Sequence, residues 1–191
     1  MKEQIKTYLN RYESFDDGEV DEFYRHLHRQ NLEKKQYLLK AGQVCTCRYF
    51  IVKGLLRCFY VDDKFNEKIS QFAIERWWLT NLESYVEQTP SRIHIQAIEA
   101  STVLTLKKKD LEALYRSMPK LERVFRLISE KTLIALQRKT DVFMQASSRQ
   151  RYQHLLAHIP DFAQRVPQYM IASYLDITPE YLSALRKELN S

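Results

Sequence analysis

Glycine is scarce in this chain, with three residues in 191, and Gly18, Gly42 and Gly54 are too scattered to build a phosphate loop. No nucleophile elbow and no HExxH occurs either, so nothing points to an enzyme. Cysteine is equally sparse: Cys45, Cys47 and Cys58 are odd in number and contain no C-x-x-C pair, which argues against structural disulfides and a zinc ribbon. Cys45-x-Cys47 has the period that puts both side chains on one face of a strand, where free cysteine acts as a small hydrophobe. No run approaches the roughly 18 to 20 apolar residues needed to span a bilayer, so no membrane partner is expected. The opening MKEQIKTYLNRYESF scatters charges where a secretory signal has an apolar stretch, and the expectation is a cytoplasmic protein.

What is present is a 45% hydrophobic chain, enough for a sizeable core in one or two modest domains, with two preferred. The net charge of +6 is unevenly spread: residues 1–106 are neutral, 107–151 carry +7 and 152–191 carry −1. A positive middle suits a polyanionic partner, although a charge run is more often a solvated helix face.

Residues 1 to about 30 read as helical, with Ile5, Tyr8, Leu9 and Tyr12, then Val20, Phe23, Tyr24 and Leu27, at helical spacing around an Asp16-Asp17-Gly18 break. From Gln36 to Leu106 the texture changes to short apolar runs rich in β-branched and aromatic residues. Strands are expected at Gln36 to Lys40, Val44 to Lys53, Leu55 to Val61, Lys68 to Ala73, Ile93 to Ala97 and Thr102 to Leu106, a spacing that suggests a sandwich or jelly roll. Gly42 and Gly54 fall between strands, where turns demand positive φ.

After Lys107 helix returns. Asp110 reads as an N-cap and Pro119 as a first-turn residue of a helix of about 28 residues, PKLERVFRLISEKTLIALQRKTDVFMQA. One stripe of this helix runs Leu121, Phe125, Ile128, Thr132, Ala135, Lys139, Val142, Ala146, and a second runs Val124, Leu127, Leu133, Leu136, Phe143. So wide an apolar surface suits packing on its own domain and on a partner subunit at once; the bland reading is an intramolecular core helix. Ser147 and Ser148 read as a hinge, followed by helices at Arg149 to Ile159, Pro167 to Leu175 and Pro179 to Leu189.

The last two have the parts of a helix-turn-helix. Ala172 is a small residue where a second helix can cross, Asp176 stands at the turn and tolerates positive φ, and Thr178 caps a helix that starts at Pro179. Leu182, Leu185 and Leu189 define a buried face, leaving Glu180, Tyr181, Ser183, Ala184, Arg186 and Lys187 largely off it. By pattern alone, two helices of any bundle would read the same way.

The segment VPQYMIASYLDITPEYLSALRK resembles the helix-turn-helix of the Crp/Fnr superfamily of bacterial transcription regulators. LLKAGQVCTCRYFIVKGLLRCFYVD resembles the first half of that family's β-roll, and IHIQAIEASTVLTL its closing strands, so the likeness spans nearly the whole chain and is weakest in the first 30 residues and in Glu75 to Ser91. It implies an α+β fold: an N-terminal double-stranded β-helix, or jelly roll, of the cyclic-nucleotide-binding type over residues 1–117, a dimerisation helix over 118–147, and a winged-helix-like helix-turn-helix over 148–191. It implies transcription control by a homodimer on double-stranded DNA, with RNA polymerase and an unidentified small-molecule effector as further partners. The DNA-binding residues would be Thr178, Glu180, Tyr181, Ser183, Arg186, Lys187, Gln168 and Arg149.

The chain also departs from the family. Cyclic-nucleotide-binding members carry a Gly-Glu pair and an Arg-Ser/Thr-Ala triplet that neutralise the cyclic phosphate; here ERWWLTNLESYVEQTPSRIHIQA has no glycine, Ser91 falls near the expected arginine, and Arg92 comes one place later, on the opposite face of a strand. A cyclic-nucleotide site is therefore not expected. The cysteine cluster of the iron-sulfur oxygen sensors is missing, and His26, His28 or His94 as a haem ligand, or His154 with His158 as a zinc pair, reads more simply as a surface or packing histidine, so no cofactor is expected. Trp77 and Trp78 read as packing the roll on the long helix rather than lining an apolar pocket. Ala184 replaces the arginine that commonly reads guanine, a contact worth roughly 1 to 3 kcal/mol of discrimination. Phosphate neutralisation would fall to Arg149, Arg151, Arg165, Arg186 and Lys187. With a neutral tail, a ligand-sensing or protein-interaction module that has lost DNA binding is the alternative.

Overall fold

The computed structural model describes residues 1–158 and 161–189. Two four-stranded antiparallel sheets form the roll. The first has the order β1 (Leu27–Leu32), β8 (Ser101–Lys107), β3 (Cys47–Lys53), β6 (Trp78–Leu79); the second has β2 (Tyr37–Leu39), β7 (His94–Ala97), β4 (Leu56–Val61), β5 (Glu67–Ala73). Period-2 alternation assigns side chains to separate cores. Tyr49 and Ile51 of β3, Leu56 and Cys58 of β4 and Val103 of β8 point between the sheets with Leu79, Tyr85 and Ile95. Phe50, Leu104 and Leu106 point the other way, into a core shared with helices, and Phe59, Ile69 and Phe72 point outward from the second sheet.

The helices on the first sheet are α1 (Lys2–Leu9), α2 (Asp17–Arg25), α4 (Lys108–Ser117) and the first turns of α5 (Lys120–Gln145). The Asp16-Asp17-Gly18 break becomes a helix start. Asp16 is the N-cap of α2 in a capping box, its carboxylate accepting from the Glu19 amide while Glu19 accepts from the Asp16 amide, and Gly18 lies inside the first turn. Leu27 belongs to no helix: His26 ends α2, and Leu27–Leu32 pairs with β8 from Leu27↔Leu106 to Leu32↔Ser101. Pairing with a strand already in place overrides the local pattern. The expected Asp110 cap is corrected too, since α4 begins at Lys108, three residues earlier than that cap implies, with Lys107 as N-cap and no side-chain cap bond. Cys45 lies before β3, yet it packs into the same core between the sheets as Cys47; its amide donates to Ser84 Oγ and its thiol to the Cys47 carbonyl.

Gly42 and Gly54 hold φ of +87° and +106°. The interval from Glu75 to Ser91, where the resemblance was weakest, contains β6 and a short helix α3 (Leu82–Glu87) capped by the Asn81 carboxamide, neither of which the periodicity indicated. Trp78 packs as expected, 5.2 Å from the Phe125 ring of α5, but Trp77 is 41% exposed.

Only the first turns of α5 are buried, through Leu121, Val124, Phe125 and Ile128; Lys131 onward is mostly exposed, with Leu133, Ile134 and Leu136 each about half accessible or more. Beyond the Ser147 break come α6 (Ser148–His158), α7 (Phe162–Arg165), α8 (Gln168–Leu175) and α9 (Pro179–Leu189). No strand follows β8 among the described residues. Ile159 lies outside the described residues, and so does the side chain of His158.

Candidate DNA interface and its attachment to the roll

The α8–α9 pair is held by its turn. Asp176 adopts the left-handed conformation, φ 55° and ψ 47°, which lets the Ile177 amide donate back to the Ala172 carbonyl at 3.0 Å. Thr178 Oγ1 accepts from the Tyr181 amide at 3.2 Å, so Thr178 caps α9. Ala172, 1% exposed, sits in the core that Leu182 and Leu185 share with Ile171 and Leu175. Burying one face of α9 leaves the other in solvent: Glu180, Tyr181, Ala184 and Lys187 are exposed, and Ser183 and Arg186 half-buried. Gln168 opens α8 and Arg149 lies in the first turn of α6, both exposed. Six of the eight predicted residues therefore share the capped start or length of one helix, while Gln168 and Arg149 come from separate elements.

Arg151 and Arg165, both predicted phosphate partners, are engaged within the chain. Arg151 donates to the Phe143 carbonyl at 2.6 Å and the Ala146 carbonyl at 3.0 Å, a cation on the carbonyl end of α5. Arg165 is clasped by two carboxylates of the roll, Glu75 at 2.8 Å and Glu99 at 2.5 Å. Hydrogen bonding to Glu99, then to Glu75, raises the Arg165 pKa. Burial pushes the Glu75 carboxyl up, but the bonds it accepts from Arg165 and the Gly54 amide outweigh this and leave it below the usual value.

The clasp belongs to a wider contact that the sequence did not reveal. Ser173 of α8 donates to the Glu67 carbonyl at 2.8 Å and accepts from the Ile69 amide at 3.2 Å, so the first helix of the pair hydrogen-bonds to the edge strand β5. Phe72 meets Phe162 and Tyr174 edge-on or tilted, at 4.8 and 5.2 Å. Lys139 of α5 donates to the Ser70 carbonyl at 2.6 Å and lies 4.3 Å from the Tyr174 ring centroid. Edge strand β5 thereby has a side-chain partner for groups an open edge would leave bare.

Within the roll, Ser91 is 3% exposed and donates to the Ile93 carbonyl, whereas Arg92 lies at the surface paired with Glu83 at 2.6 Å. The space between the sheets is occupied by Tyr49, Tyr85 and aliphatic side chains. His94 stacks on Phe59 at 4.9 Å and accepts from the Ala41 amide; burial lowers its pKa. No cluster of three His, Cys, Asp or Glu residues placed to hold a metal occurs among the described residues.

In chain order the molecule is a jelly roll, a long half-exposed helix and a capped helix-turn-helix. Residues 29–118 match the model of the cyclic nucleotide-binding domain family. Over most of its length the chain shares the fold of several solved structures. The c-di-GMP responsive global regulator CLP of Xanthomonas campestris superposes with a TM-score of 0.72 at 17% identity, covering 92% of each chain. FixK2 of Bradyrhizobium japonicum gives 0.74 at 15% identity over 86% of this chain and 84% of that one. A CooA mutant of Carboxydothermus hydrogenoformans gives 0.70 at 14% identity over 97% and 84%. No curated protein sequence matches. Among the described residues no helix is long and apolar enough to cross a membrane.

Proposed function

We propose that the chain is a Crp/Fnr-type transcription regulator that binds duplex DNA as a homodimer, with residues 1–117 as sensor roll, 118–147 as dimerisation helix and 148–191 as DNA-binding unit. The observation that carries this reading is α9: capped, docked by Leu182 and Leu185, and presenting Glu180, Tyr181, Ala184 and Lys187 outward as a helix entering a major groove must. Glu180 suits a cytosine amino group, while Ala184 supplies no guanine contact, so the preferred site differs from one read by an arginine there. The exposed Leu133, Ile134 and Leu136 supply the face for a second copy. The outward, ion-paired Arg92 supports a roll without a cyclic-nucleotide site.

Selection from random duplexes, followed by salt titration of the best binder, tests the reading. A two-fold symmetric site is expected, with a steep fall of affinity with salt as counterions are released. Glu180→Ala should relax specificity at one position by about 1 to 3 kcal/mol, and Arg186→Ala should flatten the salt slope. The engagement of Arg151 and Arg165 inside the chain favours the second reading, a sensing module without DNA binding; a dimer that enriches no duplex would establish it.

A further inference from the structure

We propose that the cleft between the outer face of the second sheet and the first turn of α8 binds a small organic dianion, a phosphomonoester or a dicarboxylate. The cleft has a volume of about 330 Å³, at the small end of ligand sites and enough for a molecule the size of a nucleoside monophosphate. Lys34, Lys35 and Arg57 line it against a single carboxylate, Glu67, so its wall carries an excess of two positive charges.

Arg57 gives the site its depth. It lies on the outward-facing register of β4 beside Phe59, 4.0 Å above that ring, and is only 4% exposed. Nη1 donates to Glu67 at 2.5 Å, and Nε and Nη2 converge on the Gln96 carboxamide oxygen at 2.9 and 2.6 Å. These bonds use three of the five guanidinium donors. Gln96 in turn donates to the Lys35 carbonyl at 2.8 Å, which fixes the β1–β2 turn where Lys35 holds a φ of +70°. A buried arginine oriented by a carboxamide, flanked by two lysines on a braced turn, is an arrangement that recognises a doubly charged oxyanion. Tyr169, 54% exposed, and Met170 close the far wall and offer an apolar surface to the body of the ligand.

The position couples binding to α8. An oxyanion on Arg57 competes with Glu67, and the Glu67 carbonyl is the acceptor that holds Ser173. Calling this effector control rests on the DNA-binding reading; the binding site itself does not.

The test is calorimetric titration of the full chain with sodium phosphate, adenosine 5′-monophosphate and disodium succinate at fixed ionic strength, with amide exchange at Ile69 followed in parallel. At least one of the three should bind saturably and change exchange at Ile69. The double variant Lys34→Gln/Lys35→Gln should weaken it roughly tenfold or more, since charge-assisted contacts are lost, while Lys64→Gln, an exposed lysine outside the cleft, should leave it unchanged. Preference for the phosphates or for succinate tells which source the site takes. Absence of saturable binding by all three, or equal weakening by Lys64→Gln, overturns the proposal. No DNA is present, so failure here leaves the DNA reading standing, and a failed duplex selection leaves this site standing.

Discussion

A Cβ placed on Gly54 would stand 2.2 Å from Ser101 Oγ and 2.8 Å from Ser101 Cα, on a backbone already at φ +106°. Backbone cannot swing aside as a side-chain tip can, so both a left-handed conformation and a close approach demand glycine here. Gly42 has the conformation, at +87°, without the approach, for nothing lies within 4 Å of its added Cβ. Gly54→Ala should therefore lower stability by about 3 kcal/mol and Gly42→Ala by only about 1 kcal/mol. Urea unfolding midpoints of the two variants check the difference; equal losses would mean that the Ser101 contact relaxes and φ alone sets the cost. Both glycines were legible as turn residues, because turn chemistry is local. The amide of Gly54 also donates to Glu75 at 2.9 Å, a carboxylate distant in sequence, and no local pattern carries that information.

Legibility at the level of elements follows the same division. The six strands expected from alternation all form, with ends shifted by a residue or a few, since period 2 reports a two-sided environment directly. β1 was assigned to helix because Leu27 continued a helical spacing, and only pairing with β8 makes Leu27–Leu32 a strand. The helix-turn-helix was readable from Ala172, Asp176, Thr178 and Pro179, whose roles are satisfied within a few residues; its docking on β5 through Ser173 was not, because the partners Glu67 and Ile69 lie more than 100 positions away. In α5 both apolar stripes were legible, and the structure divides them by length: the first turns fill the helical core and the second half stays bare. Leu133 and Leu136, 56% and 57% exposed, lie at i, i+3 on one face. A double change to glutamate should leave the fold of a single chain intact and put like charges on the face proposed for the second copy. Sedimentation equilibrium is expected to show monomers, with DNA affinity falling as half-sites lose their linkage; a stable dimer of the variant would place the subunit interface elsewhere.

Across the molecule, the roll and the C-terminal helices share one apolar core, in which Phe59, Ile69 and Phe72 of the roll meet Phe162, Met170 and Leu175. Arg165, Glu75 and Glu99 close its edge, with side chains 23%, 35% and 35% exposed. Solvent screening at that exposure limits the clasp to on the order of 1 kcal/mol, so its effect lies in where the C-terminal unit sits more than in whether the chain folds. The pH dependence has a defined sign. Glu75 is held below its ordinary value of 4.5 when folded, so its contribution is complete above that value and is lost as pH falls through the lower folded one. The native chain should consequently lose docking as pH drops from about 4.5 downward, seen as faster amide exchange at Ile69 and Ser173 before global unfolding. Arg165→Met should show that faster exchange already at neutral pH and a flatter response to acid, because the partner that depresses Glu75 is gone. If the variant instead exchanges as slowly as the native chain at pH 7, the apolar contacts around Phe72 and the Ser173 bonds hold the C-terminal unit without the clasp, and Arg165 becomes available to a phosphate at little cost to docking.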